Sequence, residues 1–177
     1  MFSSLSRGIL KLFGWHVTDH RPADMGSAIY LVVPHTSNWD FFVGLLARSS
    51  QRIKANYLAK KSLFDSPLGF FYRGLGGYPV DRTKSTNITD QIVEYFNTVP
   101  DFSIAITPEG TRSKVDAWKT GFWRIAHKAK VPLILTSFDY SKKEVTLSAP
   151  YYVGDDMEKD IAELMEYFKP FVGKNPN

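Results

Sequence analysis

Six short strand-like runs punctuate this chain, and amphipathic stretches with helical spacing separate most of them. The runs cover residues 28–33, 53–59, 78–80, 102–106, 132–138 and 144–148. They are rich in β-branched and aromatic residues and bounded by turn formers, the pattern of strands. Residues 38–47, 66–75, 86–97, 120–130 and 155–172 repeat apolar residues three and four apart and read as helices. Ser37 or Asn38, Ser66-Pro67, and Thr86 or Asn87 supply start signals, and Asp155 and Asp156 suit the positive end of the last helix. Strands alternating with helices predict a single layered α/β domain, with a mostly parallel central sheet flanked by helices. In such sheets ligands bind beyond the carboxyl ends of the strands. The chemistry is therefore sought in the residues that follow each run.

At 177 residues one domain is expected, with residues 1–15 as an appended helix and 16–177 as the domain proper. Residues 2–15 place Phe2, Leu5, Ile9, Leu12 and Phe13 at helical spacing, with Arg7 and Lys11 elsewhere on the wheel. This helix either docks on the core or lies in a membrane interface as an anchor. It is too interrupted for a signal peptide, and no segment approaches the ~20 apolar residues of a spanning helix. The absence of cysteine excludes disulfides and a thiol nucleophile. The net charge of +4 is unevenly placed: residues 50–85 carry seven basic side chains against two acidic ones. A basic middle suits an anionic partner such as a phospholipid headgroup. The tail from Gly173 to Asn177 is polar and is expected to be disordered.

Three segments just past strand ends carry chemistry. In the first, His35-Thr36-Ser37-Asn38-Trp39-Asp40, positions five apart within one helix would diverge by about 140° and could not pair. With His35 on a loop and Asp40 in the first helical turn they can meet. The carboxylate would then fix one imidazole nitrogen, leaving the other to take a proton from a hydroxyl. Helix N-terminal amides nearby could face developing negative charge. The bland alternative is a loop histidine beside a dipole-paired aspartate. In the second, Gly76 to Arg82, two glycines allow close approach and Arg82 can grip a phosphate, or the segment is a tight turn with an Asp81–Arg82 pair. In the third, Thr107 to Ser113, Glu109 and Arg112 sit among hydroxyls in a set that suits a polyol phosphate, or else a salt-bridged loop. His16, His20 and His127 show no ligand spacing with one another.

Taken together, HTSNWD (35–40), GGYPVDR (76–82), PEGTRS (108–113) and VPLIL (131–135) resemble, in order and spacing, the four blocks of the glycerolipid acyltransferase superfamily. That superfamily includes the lysophosphatidic acid and glycerol-3-phosphate acyltransferases, and the likeness is to a compact bacterial subgroup. The resemblance implies a glycerol-3-phosphate acyltransferase-like fold, with His35 as general base and Asp40 as its orienter. It places substrate binding at Lys60, Arg82, Glu109, Gly110, Thr111 and Arg112, with Lys61 competing for the role of Lys60. The implied donor is an acyl thioester of coenzyme A or acyl carrier protein. The implied acceptor is a lysophospholipid, foremost 1-acyl-sn-glycerol 3-phosphate. Neither a metal nor a further cofactor is implied. The implied location is peripheral, on an anionic membrane surface at the cytoplasmic face of the inner membrane.

Two rival readings compete. The same pair could serve a thioesterase or lipid hydrolase, with water or Ser37 as nucleophile, although no Gly-x-Ser-x-Gly elbow is present. A nucleic-acid-binding module would need basic residues interleaved with aromatics on one face, which the pattern lacks; no nucleic acid partner is expected.

Overall fold

The computed structural model describes residues 2–80, 88–113 and 115–175. In chain order these form α1 (Phe2–Leu12), β1 (His16–Asp19), β2 (Ile29–Val33), α2 (Trp39–Ser50), β3 (Ala55–Lys60), α3 (Lys61–Phe64), α4 (Gly69–Gly74) and β4 (Gly77–Val80). They continue with α5 (Ile88–Thr98), β5 (Ser103–Ile106), α6 (Gly121–Ala129), β6 (Leu133–Asp139), β7 (Glu144–Tyr151) and α7 (Met157–Phe168). The seven strands make one sheet in the order β1-β7-β6-β2-β5-β3-β4. Every pairing is parallel except β6 with β7. The expected layered α/β architecture is therefore the one observed.

Alternation along β2 divides the interior. Ile29, Leu31 and Val33 point into the larger core with Ile104, Leu133, Leu135, Phe122 and Ile125. Leu164 and Phe168 of α7 close that side. Tyr30 points the other way, among Ala28, Ile53, Ala55, Ile134 and Leu147. There α2 covers the sheet, packing Val43 and Ala47 against Phe138 and Val145. Strands covered on both faces lose the polar alternation of an exposed sheet, which explains the near-continuous apolar runs.

Two elements depart from the sequence pattern. Strand β1 was not expected: it has four residues, lies at the sheet edge and pairs only with β7. The helix expected over 66–75 is confined to α4, and the short α3 precedes it outside the expected span. The Ser66 hydroxyl donates to the Leu63 carbonyl at 2.6 Å and closes a turn instead of capping a helix. Gly69 allows that tight turn, because a Cβ there would run into the Phe64 carbonyl. The expected caps at Thr86 and Asn87 lie outside the described residues.

The basic middle of the sequence is dispersed in space. Arg52 and Lys54 precede β3, whereas Lys60 ends it and Lys61 opens α3. Arg73 is turned onto the Phe64 carbonyl at 3.1 Å. Of these, only Lys60 and Lys61 share the carboxyl end of the sheet with the segment that follows β2.

Candidate active site

Strand β2 lies between β5 and β6, so the loop leaving its carboxyl end is held from both sides. His35 stands on this loop and Asp40 in the first turn of α2. The His35 Nδ1 is 3.1 Å from the Asp40 Oδ2. The same oxygen accepts the backbone N–H groups of Thr36 and Ser37, both at 2.8 Å. The other oxygen, Oδ1, accepts the Tyr140 hydroxyl at 2.6 Å. Asp40 is 2% exposed. Burial alone would raise its pKa, but the hydrogen bonds from His35, Tyr140, Ser37 and Thr36 outweigh it and hold the carboxyl below its usual range. The group is thus an ionised acceptor. A carboxylate can only accept, so the Nδ1 carries a ring proton and, in a neutral ring, Nε2 is the nitrogen left with a free lone pair.

Tyr140 is a component the sequence pattern did not single out. It immediately follows β6, and only the β2–β6 pairing brings it to the loop. Burial, together with the charge and hydrogen bond of Asp40, pushes its phenol pKa well up, so the hydroxyl remains a donor.

The helix-terminus amides expected to face an oxyanion are largely committed elsewhere. Thr36 and Ser37 serve Asp40, and the Trp39 N–H reaches the Ser37 hydroxyl oxygen at 3.2 Å. The amides of Asp40 and Phe41 bond the carbonyls of Ser37 and Asn38. Ser37 is buried and its Oγ accepts the Trp39 amide; it is not presented as a nucleophile.

The third block meets the first through Glu109, whose Oε2 accepts the His35 backbone N–H at 2.8 Å. Burial raises the Glu109 pKa, and the His35 amide and ring only partly counter this. Gly110 takes a left-handed φ of +64°. A Cβ there would also lie 2.6 Å from the Lys119 Nζ. The positive φ favours glycine here, and the Lys119 side chain folds against it as a second cation of this turn, the Lys119 amide donating to the Pro108 carbonyl at 2.8 Å. Thr111 and Arg112 are exposed, and the Thr111 hydroxyl oxygen accepts the Ser113 amide at 3.3 Å. Lys60 is exposed at the end of β3. Lys61 binds Asp65 at 2.9 Å, an exposed pair along α3. Arg82 lies outside the described residues. Among the described residues, no three His, Asp or Glu side chains converge as metal ligands would.

A cavity of about 260 Å³ opens beside His35 and Asp40 and runs between α2 and the sheet. Its walls include Phe41 and Leu45 from α2, and Val32, Ala105 and Phe138 from the sheet. Small residues make the space: Gly44 on α2, where a Cβ would touch the Phe138 ring at 3.3 Å, and Ala55 and Ala105 beneath. Tyr30 and Ile53 line its far end and also a polar recess beyond it. Along β2, at ~3.3 Å per strand residue, Tyr30 lies roughly 10 Å before Val33. Its hydroxyl accepts from the Arg21 Nη1 at 2.9 Å, and Arg21 is clamped on Asp19 at 2.7 Å.

This geometry can be set against known proteins. The sequence model of the family described as Acyltransferase matches residues 15–137. No curated protein sequence matches the chain. Among solved structures, the crystal structure of the 1-acyl-sn-glycerophosphate (LPA) acyltransferase PlsC from Thermotoga maritima aligns with a TM-score of 0.64. The two are 19% identical, over 96% of this chain and 76% of that one, a likeness of fold.

Proposed function

The chain belongs to the acyltransferase family, and we propose that it moves a fatty acyl group from an acyl thioester to a lysophospholipid hydroxyl. The acceptor in this proposal is 1-acyl-sn-glycerol 3-phosphate, and the thiol carrier is coenzyme A or acyl carrier protein. One observation carries the reading: an ionised, buried Asp40 holds His35 beside an apolar cavity, while the His35 side chain keeps 21% of its surface exposed. The cavity suits the acyl chain of the thioester, and the exposed edge of His35 suits an acceptor arriving from solvent or lipid.

In this mechanism the acceptor hydroxyl gives its proton to the His35 Nε2 as its oxygen attacks the thioester carbonyl. The carbonyl electrons move to oxygen. Lys60, Lys119 and Arg112 supply the positive charge at this end of the sheet for the oxyanion and the acceptor phosphate. Collapse expels the thiolate, which takes the proton back from the imidazolium. General-base help of this kind is worth on the order of 10²–10⁴-fold.

The proposal includes peripheral attachment to the cytoplasmic face of a bacterial inner membrane. No helix among the described residues is long and apolar enough to cross a membrane. Helix α1 buries Ser6 and Leu10 and presents Phe2 and Leu12 outward, Leu12 at 82% exposure, and Phe13 is exposed just past its end. Trp39, Phe41 and Phe42 on α2 and Phe70 and Phe71 on α4 are exposed as well. Exposed aromatic and aliphatic groups beside basic residues suit a lipid interface.

The test is thiol release from palmitoyl-coenzyme A with and without lysophosphatidic acid. Release that requires the acceptor, with formation of the diacyl product, supports acyl transfer. Release of free fatty acid at the same rate without acceptor would replace this reading by a thioesterase.

A further inference from the structure

The segment from Val172 to Asn175 does not trail into solvent, contrary to the expectation of a disordered tail; it lies across the histidine loop. Its root is fixed where Phe171 packs against the main core and its amide bonds the Phe168 carbonyl at 3.2 Å. From there each of its four residues makes contact. The Val172 carbonyl accepts the Tyr140 backbone N–H at 2.8 Å. Gly173 is buried so closely on Thr36 that a Cβ would stand 2.6 Å from its Oγ1, 2.7 Å from its Cγ2 and 3.2 Å from its Cβ. The Lys174 ammonium sits 4.6 Å from the centre of the Trp39 ring. The Asn175 side-chain amide donates to the Thr36 carbonyl at 3.0 Å, and its backbone N–H to the Thr36 Oγ1 at 3.3 Å.

These contacts converge. Tyr140 and Thr36 each donate a hydrogen bond to Asp40, and Trp39 is its neighbour in the chain. All three residues gripped by the segment are thus one hydrogen bond or one peptide bond away from the carboxylate that orients His35. The sequence fits the role. Only glycine can lie flat on a β-branched threonine, since any rotamer of Thr36 leaves an atom facing the position. Asparagine presents a side-chain donor to the open Thr36 carbonyl, while its backbone N–H serves the hydroxyl oxygen.

We infer that residues 172–175 are a positioning strap: they clamp Thr36, Trp39 and Tyr140 together and so fix Asp40, and through it His35, for catalysis. The strap touches neither reacting atom, and its contribution is geometric. A displacement of about 1 Å in a catalytic group can cost on the order of 10²-fold in rate, so a loosened clamp is expected to lower turnover more than substrate binding.

The test uses the full chain with Gly173→Val, which wedges the strap off Thr36, and separately Asn175→Ala, which removes one clamp without adding bulk. The kinetic readout rests on the acyl-transfer reading. The second readout does not: the His35 Nδ1 proton, hydrogen-bonded to Asp40, is followed by NMR in protein labelled with nitrogen-15 histidine. Expected for Gly173→Val are a fall of about tenfold in kcat, a thioester KM within about twofold of wild type, and faster solvent exchange of the Nδ1 proton. Asn175→Ala should move each in the same direction, by less. If both variants fold and show wild-type exchange of that proton, the strap does not position the pair. If the proton is disturbed but kcat is unchanged, positioning by the strap is not catalytic and the inference falls. If the wild type transfers no acyl group while the proton responds as expected, it is the function proposed above that fails, and the clamp stands.

Discussion

Tyr140 and Asp40 are separated by 100 positions in the chain, yet the phenol donates to the carboxylate at 2.6 Å. The aspartate therefore answers to two parts of the fold. The loop after β2 supplies the Thr36 and Ser37 amides, and the end of β6 supplies Tyr140.

Removing that phenol is the first prediction. Tyr140→Phe should reduce kcat about tenfold with KM little changed. It should cost about 2 kcal/mol of stability, as expected for a hydrogen bond to a charged group. Asp40 sits below its ordinary value, so it stabilises the fold above the unfolded pKa of 3.8, and that stability is lost as pH falls through the folded value. With one donor gone the folded value rises, and acid unfolding should begin at higher pH. Thermal melts between pH 3 and 7 check this; an unchanged acid limb would remove Tyr140 from the role.

Glu109 behaves with the opposite sign. Burial raises its pKa above 4.5, so the folded state holds its proton more tightly than the unfolded chain. Its contribution is fully present below 4.5 and is lost as pH rises through the folded value. Glu109→Gln keeps an oxygen for the His35 amide and has no charge to bury. Its melting temperature should therefore fall less than that of the wild type between pH 4.5 and 7. Parallel curves would mean that Glu109 is not burdened by burial.

The cavity yields a prediction about the donor. Ala105→Leu places a branched side chain in the space between α2 and the sheet. Activity with long-chain thioesters should drop by about tenfold or more while short-chain donors are retained. The melting temperature should hold or rise, because the group fills a void. Equal losses at all chain lengths would place the acyl chain elsewhere.

Membrane attachment is tested by charging the outer face of α1. Phe2→Asp, Leu12→Asp and Phe13→Asp together alter side chains that are 78%, 82% and 63% exposed. Binding to vesicles containing anionic lipid should fall by about tenfold with little change in stability. Undiminished binding would move the lipid contact away from α1.

Much of this was legible in the order of residues. The inner strands β2 and β6 came through because they are covered on both faces and so read as apolar runs. The meeting of His35 with Asp40 came through because the strand end and the helix start lie five positions apart. What escaped was set by tertiary placement. Strand β1 is short, half-exposed and carries no apolar repeat. Tyr140 reaches Asp40 only because β6 lies beside β2. The cavity depends on Gly44, Ala55 and Ala105, which look like ordinary small residues until the helix above them is placed. The strap has the composition of a free tail, and its fit rests on one glycine meeting one threonine. The Glu109 Oε2 contact with the His35 amide joins loops whose residues stand 74 positions apart in the chain.

The first measurement is the rate of acyl transfer from palmitoyl-coenzyme A to lysophosphatidic acid by His35→Ala beside the wild type, with melting curves for both. If His35 is the base, transfer should fall by on the order of 10²-fold or more with the fold intact. A folded variant that keeps most of its acceptor-dependent rate would contradict the assignment of His35 and Asp40 as the reacting pair.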